Sequence, residues 1–412
     1  MFRKHTSLVL SLGIALLCIL IAVGAILIAN NPGITHANGI GDSGIQNNQN
    51  NGQNNYNNGQ QNNNGHHGRY TTIGNLHSIS TVASTMFVVD ANGKTISTDA
   101  NPYGIAIAPS SVAKMPGGLN PGDLVVTNFG ANQMGKTLVR IPGKQGPAHL
   151  LNTNMDKGTN GPADEAFNTQ SGSNWVANTS GNNIQVFGTN GNLSATITNP
   201  LFNMPWGQAF NGGMHNHNDG ATGAFFSTNA ADGTIDRIDL IPAANGGKVT
   251  FKVFQIGQLA HMGKQTFIGI TWVPSLQVGD EHYKDVLLAL DTVNNRIAAY
   301  PNSSTRHTMN TKSTNQGITV FKGMPLQGPV GLTVSPTTGH LLVVNSQKND
   351  LVELNLSTGK VVGDVQIDNV PVDAQSGNGS ALFGVVATTD KNRNLEVYFT
   401  DDNTNTVNVL RR

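Results

Sequence analysis

The chain has 412 residues, enough for one large domain or two ordinary ones, and an apolar share of 38% is adequate for a core. Twenty-four basic residues balance twenty-four acidic ones, and no Lys/Arg cluster follows the N-terminus, so the electrostatic footprint of a nucleic-acid binder is missing. Gly reaches 48 residues, Asn, Thr and Ser are frequent, and Leu/Glu/Lys-rich helical stretches are scarce, which predicts an almost wholly β body with many tight turns.

Residues 8–29 carry no charge, and as a helix they would span roughly 33 Å against a hydrocarbon core of about 30 Å. Arg3 and Lys4 precede this run and no Lys or Arg follows until Arg69, which places the N-terminus in the cytoplasm and the remainder outside. Two readings stay open. Residues 1–29 are either an uncleaved single-pass transmembrane anchor, leaving the protein at the cell membrane, or a long signal peptide cut near Thr35-His36-Ala37, leaving it secreted. The only cysteine, Cys18, lies inside the apolar run, so an exported domain here must be stable without disulfides.

Residues 30–69 turn to Asn, Gln and Gly and hold too few apolar side chains to offset the entropy of ordering them. They read as a disordered tether with an end-to-end distance of roughly 35 Å. His66 and His67 within it do not complete a metal site.

From residue 70 to the end, one pattern recurs six times. Its lead-in motifs are NPYG (Asn101 to Gly104), GPAD (Gly161 to Asp164), MPWG (Met204 to Gly207), TFIG (Thr266 to Gly269), GPVG (Gly328 to Gly331) and ALFG (Ala381 to Gly384). Each opens a short first strand. A second strand follows and ends in Asn128, Asn178, Asn229, Asp291, Asn345 or Asp401, and then comes a third. Short strands in a meander, repeated at this period, define an all-β, six-bladed β-propeller. The last unit stops after its third strand, so a fourth must come from elsewhere. The alternating segment Val82 to Asp90 is expected to pair with the final blade and close the ring.

The motif GNNIQVF (Gly181 to Phe187) and the turn-plus-strand TVNNRIAAY (Thr292 to Tyr300), with the Pro-x-Gly lead-ins, resemble NHL-type repeats. They are also similar to the secreted six-bladed propellers that include gluconolactonase-like proteins. The likeness covers about residues 80–412. It implies a propeller that serves as a binding platform, a sensor or an enzyme. Gluconolactonase-like enzymes carry an acidic metal ligand near the start of their first blade. Asn101 stands there in this chain, which weakens the implication of metal-dependent lactone hydrolysis.

Lead-in motifs and second-strand ends should share one mouth of the channel. Asn128, Asn178, Asn229, Asp291, Asn345 and Asp401 would there form a polar ring for a sugar or a divalent cation, or else cap their own turns through local hydrogen bonds. Asp164 replaces the lead-in Gly and Glu165 follows it, making Asp164 a candidate cation ligand or general base, the alternative being an irregular turn with exposed acids. Tyr103 and Trp206 at the mouth would stack on a sugar or pack between blades. His215, His217 and Asp219, in the third blade's first insertion, are a candidate zinc or copper site on the opposite face. No catalytic triad, nucleophile elbow, phosphate-binding Gly loop or Cys-based metal site is present. The sequence therefore predicts an extracytoplasmic binding module for a protein, glycan or cell-surface ligand. The competing reading is a hydrolase or lyase that uses a divalent cation in the channel.

Overall fold

The structure is a computed structural model, and it describes residues 71–112, 118–152, 158–211, 223–241, 249–260, 266–305, 315–373 and 377–412. The apolar run 8–29, the tether 30–69 and the cluster His215, His217 and Asp219 lie outside the described residues. Among the described residues no helix is long and apolar enough to cross a membrane.

A 3-10 turn at Ile73–Asn75 is followed by β1 (Ser78–Ser84) and by a small hairpin of β2 (Phe87–Val89) and β3 (Thr95–Ser97). Blade one comprises β4 (Pro102–Ile107), β5 (Leu124–Asn128), β6 (Thr137–Ile141) and β7 (His149–Leu150), counted outward from the channel. Blade two is β8 (Pro162–Phe167), β9 (Asn174–Asn178), β10 (Asn183–Phe187) and β11 (Leu193–Ile197). Blade three is β12 (Pro205–Phe210), β13 (Gly223–Asn229), β14 (Thr234–Ile241) and β15 (Thr250–Gln258). Blade four is β16 (Ile270–Val278), β17 (Glu281–Asp291), β18 (Arg296–Tyr300) and β19 (Ile318–Lys322). Blade five is β20 (Pro329–Val334), β21 (Leu341–Asn345), β22 (Asp350–Asn355) and β23 (Lys360–Gln366), and blade six is β24 (Leu382–Thr389), β25 (Leu395–Asp401), β26 (Thr406–Arg411) and β1. The inner strands touch in succession, and β24 returns to β4, so the six sheets close a ring around a channel.

The middle strands are buried on both faces, because each sheet is covered by a neighbour on either side. Leu341–Asn345 and Leu124–Asn128 therefore read as near-continuous apolar runs rather than as alternating ones. Between blades four and five, Leu288, Leu290, Leu341 and Val343 interdigitate with Val352 and Leu354. The outermost strand of blade five, KVVGDVQ, is exposed over Lys360 to Val362 and then alternates between part-buried and exposed positions, as an edge facing solvent should.

The lead-in motifs explain themselves at the backbone. Five inner strands slip register over their Pro-containing or Leu382 start, and Pro has no N–H to offer the ladder at that point. Glycine follows because a Cβ on Gly104 would lie 2.7 Å from the Asp164 Cα, the Glu165 Oε2 and the Thr127 Oγ1. In three blades a threonine clasps this approach. Thr127 accepts the Gly104 N–H and donates to the Ala163 carbonyl of the next blade, and Thr228 and Thr400 do the same toward Ile268 and Tyr103.

The ring is closed by β1 pairing antiparallel with β26, from Ser78 opposite Arg411 to Ser84 opposite Thr406. The expected closing segment, Val82 to Asp90, overlaps β1 only over Val82 to Ser84. Its remainder forms β2, which pairs in parallel with β7 through Val89 and His149 and extends blade one to six strands. The bulge between Thr81 and Ala83 and the turn after Ser84 carry the chain from one blade to the next, so two short strands share a segment that reads as one.

Candidate functional site

At the lead-in face the channel is stopped by aromatic rings. Tyr103 stacks between Phe129 at 4.5 Å and Phe383 at 3.9 Å, Phe129 meets Trp206 edge-on at 5.3 Å, and Trp206 stacks on Phe267 at 4.2 Å. Each ring comes from the start of an inner strand or from the turn behind a second strand, so four blades contribute to a hydrophobic plug, blade one supplying both Tyr103 and Phe129. Tyr103 and Trp206, read from the sequence as mouth residues, stand here and face one another. Phe129 and Phe267 were not foreseen, because they occupy positions where the other blades carry unrelated side chains.

Beyond the plug lies a cavity of about 410 Å³, walled by the inner strands. Exposure rises along those strands away from the plug. Ile270 is buried while Thr271 to Pro274 are half-buried and Ser275 is exposed, and β24 passes from buried Leu382 to half-buried Thr389. The cavity therefore opens on the face of the turns joining first to second strands, lined there by Phe210, Trp272 and Thr333. A volume of this size is in the range of small-molecule pockets, and its walls show polar and apolar surface in nearly equal measure.

Two acids and an amide interrupt those walls. Asp164 accepts the Gln208 backbone N–H at 3.0 Å across the junction of blades two and three, and it borders the cavity. Burial pushes its carboxyl up to about 7, against the opposing pull of the Gln208 and Glu165 amides. Glu165, one residue on, turns toward blade one and is 4% exposed, against the Thr127 side chain and the Ala106 amide, whose hydrogen bonds only partly oppose its burial. Burial, and then the charge of Asp164, push its carboxyl well above the ordinary range. Gln208 donates through Nε2 to Ser227 at 2.7 Å, while its Oε1 is buried without a donor. Adjacent residues on a strand face opposite sides, so the two carboxylates cannot close together on one ion. Among the described residues no three His, Cys, Asp or Glu side chains gather as metal ligands. As a dedicated cation cage the set fits poorly, since calcium takes six to eight oxygens.

The six residues ending the second strands do not border the cavity. Each is at most 8% exposed and spends its polar atoms on the turn that follows or on the loop arriving from the previous blade. Asn128 donates to the Thr85 carbonyl, Asn178 to Asn183, and Asp291 holds Arg296 at 2.7 Å. Asn229 and Asn345 donate to Asp236 and Asp350 while accepting the Asn203 and Gln327 amides, and Asp401 accepts the Thr404 amide. Asn128 and Asn178 each keep one oxygen without a donor. Such side-chain bonds fix tight turns and dock successive blades.

No protein-family model matches the chain, and no curated protein sequence does. Among solved structures the chain is similar to virginiamycin B lyase from Staphylococcus aureus, at 14% identity over 81% of this chain and 99% of that one, with a TM-score of 0.44. It is also similar to a protein of unknown function from Bacteroides thetaiotaomicron, at 10% identity over 81% and 75%, with a TM-score of 0.48. A luciferin-regenerating enzyme is similar at 12% identity over 76% and 92%, with a TM-score of 0.43. The architecture stated above rests on the strand pairing itself, and no activity is taken over from these proteins.

Proposed function

We propose that this chain is an extracytoplasmic binding propeller that takes a small ligand into its channel from the face opposite the aromatic plug. The observation that carries this reading is the asymmetry of the channel, stacked shut at one end and, among the described residues, open at the other into a cavity that Asp164 borders. Residues 8–29, Arg3 and Lys4 support placement of the propeller outside the cell, as a single-pass membrane protein or, after cleavage, as a secreted one. The loops of the open face would present the ligand to a protein or glycan at the cell surface.

The test is ligand-observed NMR against a library of small aromatic and aliphatic compounds, using the wild-type chain and Ala166→Phe. Ala166 lines the cavity, and the larger ring fills it without burying a polar group. Compounds that bind wild type and lose at least about tenfold in affinity for the filled channel support the reading. Binding that Ala166→Phe leaves untouched would contradict it.

A second reading has one specific observation behind it. A carboxyl pushed up to about 7 by burial beside a ligand-sized cavity is suited to general acid–base work, as a hydrolase or lyase requires. Turnover of a channel-bound compound, abolished by Asp164→Asn, would favour this enzyme over the binding module.

A further inference from the structure

We propose that the channel's ligand is an organic ammonium, with an apolar body in the lumen and its protonated amine held by Asp164 with the Gln208 side-chain oxygen as a second acceptor. The inference rests on the channel being the binding site, and it adds the chemistry of what enters.

The first argument is charge. Across the six inner strands the ionisable side chains are Tyr103, Asp164 and Glu165, and among the described residues no Lys, Arg or His lines the wall. An anionic ligand would meet only acids. The second argument is the hydrogen-bond inventory. The Gln208 Oε1 is buried without a donor on the cavity wall, and Asp164 beside it accepts the Gln208 backbone N–H while bordering the same cavity. Buried acceptors without donors are costly unless a partner arrives. An ammonium brings three donors and no acceptor, which is the complement of this wall. A hydroxyl brings one donor, and a bare divalent ion would find too few converging oxygens. The third argument is the lumen beyond the acids, where Ile270, Leu332, Val385 and Trp272 would cover a hydrocarbon or aromatic body.

Proton linkage follows from the surroundings of Asp164. Glu165 is its ionisable neighbour on the same strand, while the adjoining β4, β9 and β12 bring only Tyr103. Burial keeps the Asp164 carboxyl protonated up to about 7, so seating a cation there expels a proton. Affinity for an amine should therefore rise as pH increases from 6 to 8.

The experiment is titration calorimetry of the full chain, kept in detergent, with phenethylamine and its neutral counterpart 2-phenylethanol at pH 6 and pH 8. Expected are at least about tenfold tighter binding of the amine at pH 8, a smaller preference at pH 6, and loss of that preference in Asp164→Asn with alcohol binding retained. Asn keeps an oxygen for the Gln208 amide, and the melting temperature reports whether the variant folds. Gln208→Met serves as a second variant: it removes the unpaired oxygen at similar volume and should also reduce the preference. Equal binding of amine and alcohol, with both lost in Ala166→Phe, would overturn the ammonium inference while the channel reading stands. Binding of neither probe to the channel would overturn both. Displacement of the amine by an equal concentration of calcium would overturn the inference in favour of a metal site.

Discussion

At Asp164 the repeat replaces glycine with a carboxylate, and the result is a group whose charge the fold resists. Its folded-state carboxyl holds a proton up to about 7, whereas in the unfolded chain it releases one near the ordinary value of 3.8. Between those values the folded state binds more protons, so stability falls as pH rises across the window and levels off above it. Glu165 and Asp236 are shifted in the same direction, chiefly by burial, and Asp402 is pushed up to about 7 by burial and then by the charge of Asp401. The melting temperature of the wild-type protein should accordingly decline from pH 5 to pH 8. Asp164→Asn should melt above wild type at pH 8 and level with it at pH 4, as differential scanning fluorimetry would show; parallel curves for the two proteins would disprove this assignment. From the sequence, Asp164 stood out because it broke a repeat. Gln208 carried no such mark, since a glutamine on a strand signals nothing until its amide is found buried with one atom unpaired.

Among the elements, the closing strand and its approach hold the ring together. Before β1 begins, the turn Ile73–Asn75 docks on blade five, where Glu353, fully buried, accepts the Ile73 N–H at 2.7 Å and meets His340 Nδ1 at 2.7 Å and Thr338 Oγ1 at 3.1 Å. Thr337 adds a hydrogen bond to the Thr71 carbonyl. The N-terminal segment thus bridges blade five to blade six before β1 covers the β26 edge. Glu353→Ala would orphan the buried Ile73 N–H at a cost of about 1 to 3 kcal/mol. Limited proteolysis should then cut between residues 71 and 77 under conditions where the six blades remain intact; cleavage no faster than in wild type would show that the latch is unimportant. Six blades were legible because Pro, Gly and the terminal Asn or Asp recur where register slips and turns demand them. The closing strand was displaced by several residues in the reading. Both SISTVAS and TMFVVD alternate acceptably, and what decides between them is the partner edge of β26, which local pattern does not encode. The docking of residues 71–76 was equally hidden, since it depends on a glutamate some 280 positions away.

For the whole molecule, a ring of six sheets leaves a tube, and the chemistry depends on which end is open. Tyr103 and Trp206 were visible in the sequence as aromatic residues at one mouth, but their use could be read as ligand stacking or as packing. The structure shows three blades' rings turned onto one another, with Phe129 and Phe267 completing the closure. The open mouth then falls on the opposite face, and the six Asn and Asp residues, buried in their turns, are left to hold blades together. Sequence periodicity fixes which residues share a face. It does not report whether side chains from six directions meet across a central axis.

The most direct test of this asymmetric channel is cysteine accessibility. In a Cys18→Ser background the chain has no other thiol, so Ala166→Cys and Ala163→Cys can each be labelled alone with a small charged maleimide. Both alanines lie on the cavity wall, but Ala166 is half-buried toward the open end, whereas Ala163 is 2% exposed at the bottom, packed with the plug. Rapid labelling of the cysteine at 166, with the one at 163 protected until the protein is denatured, is the predicted result. Labelling at 163 as fast as at 166, or faster, would mean that the channel opens at the aromatic face and would contradict the account.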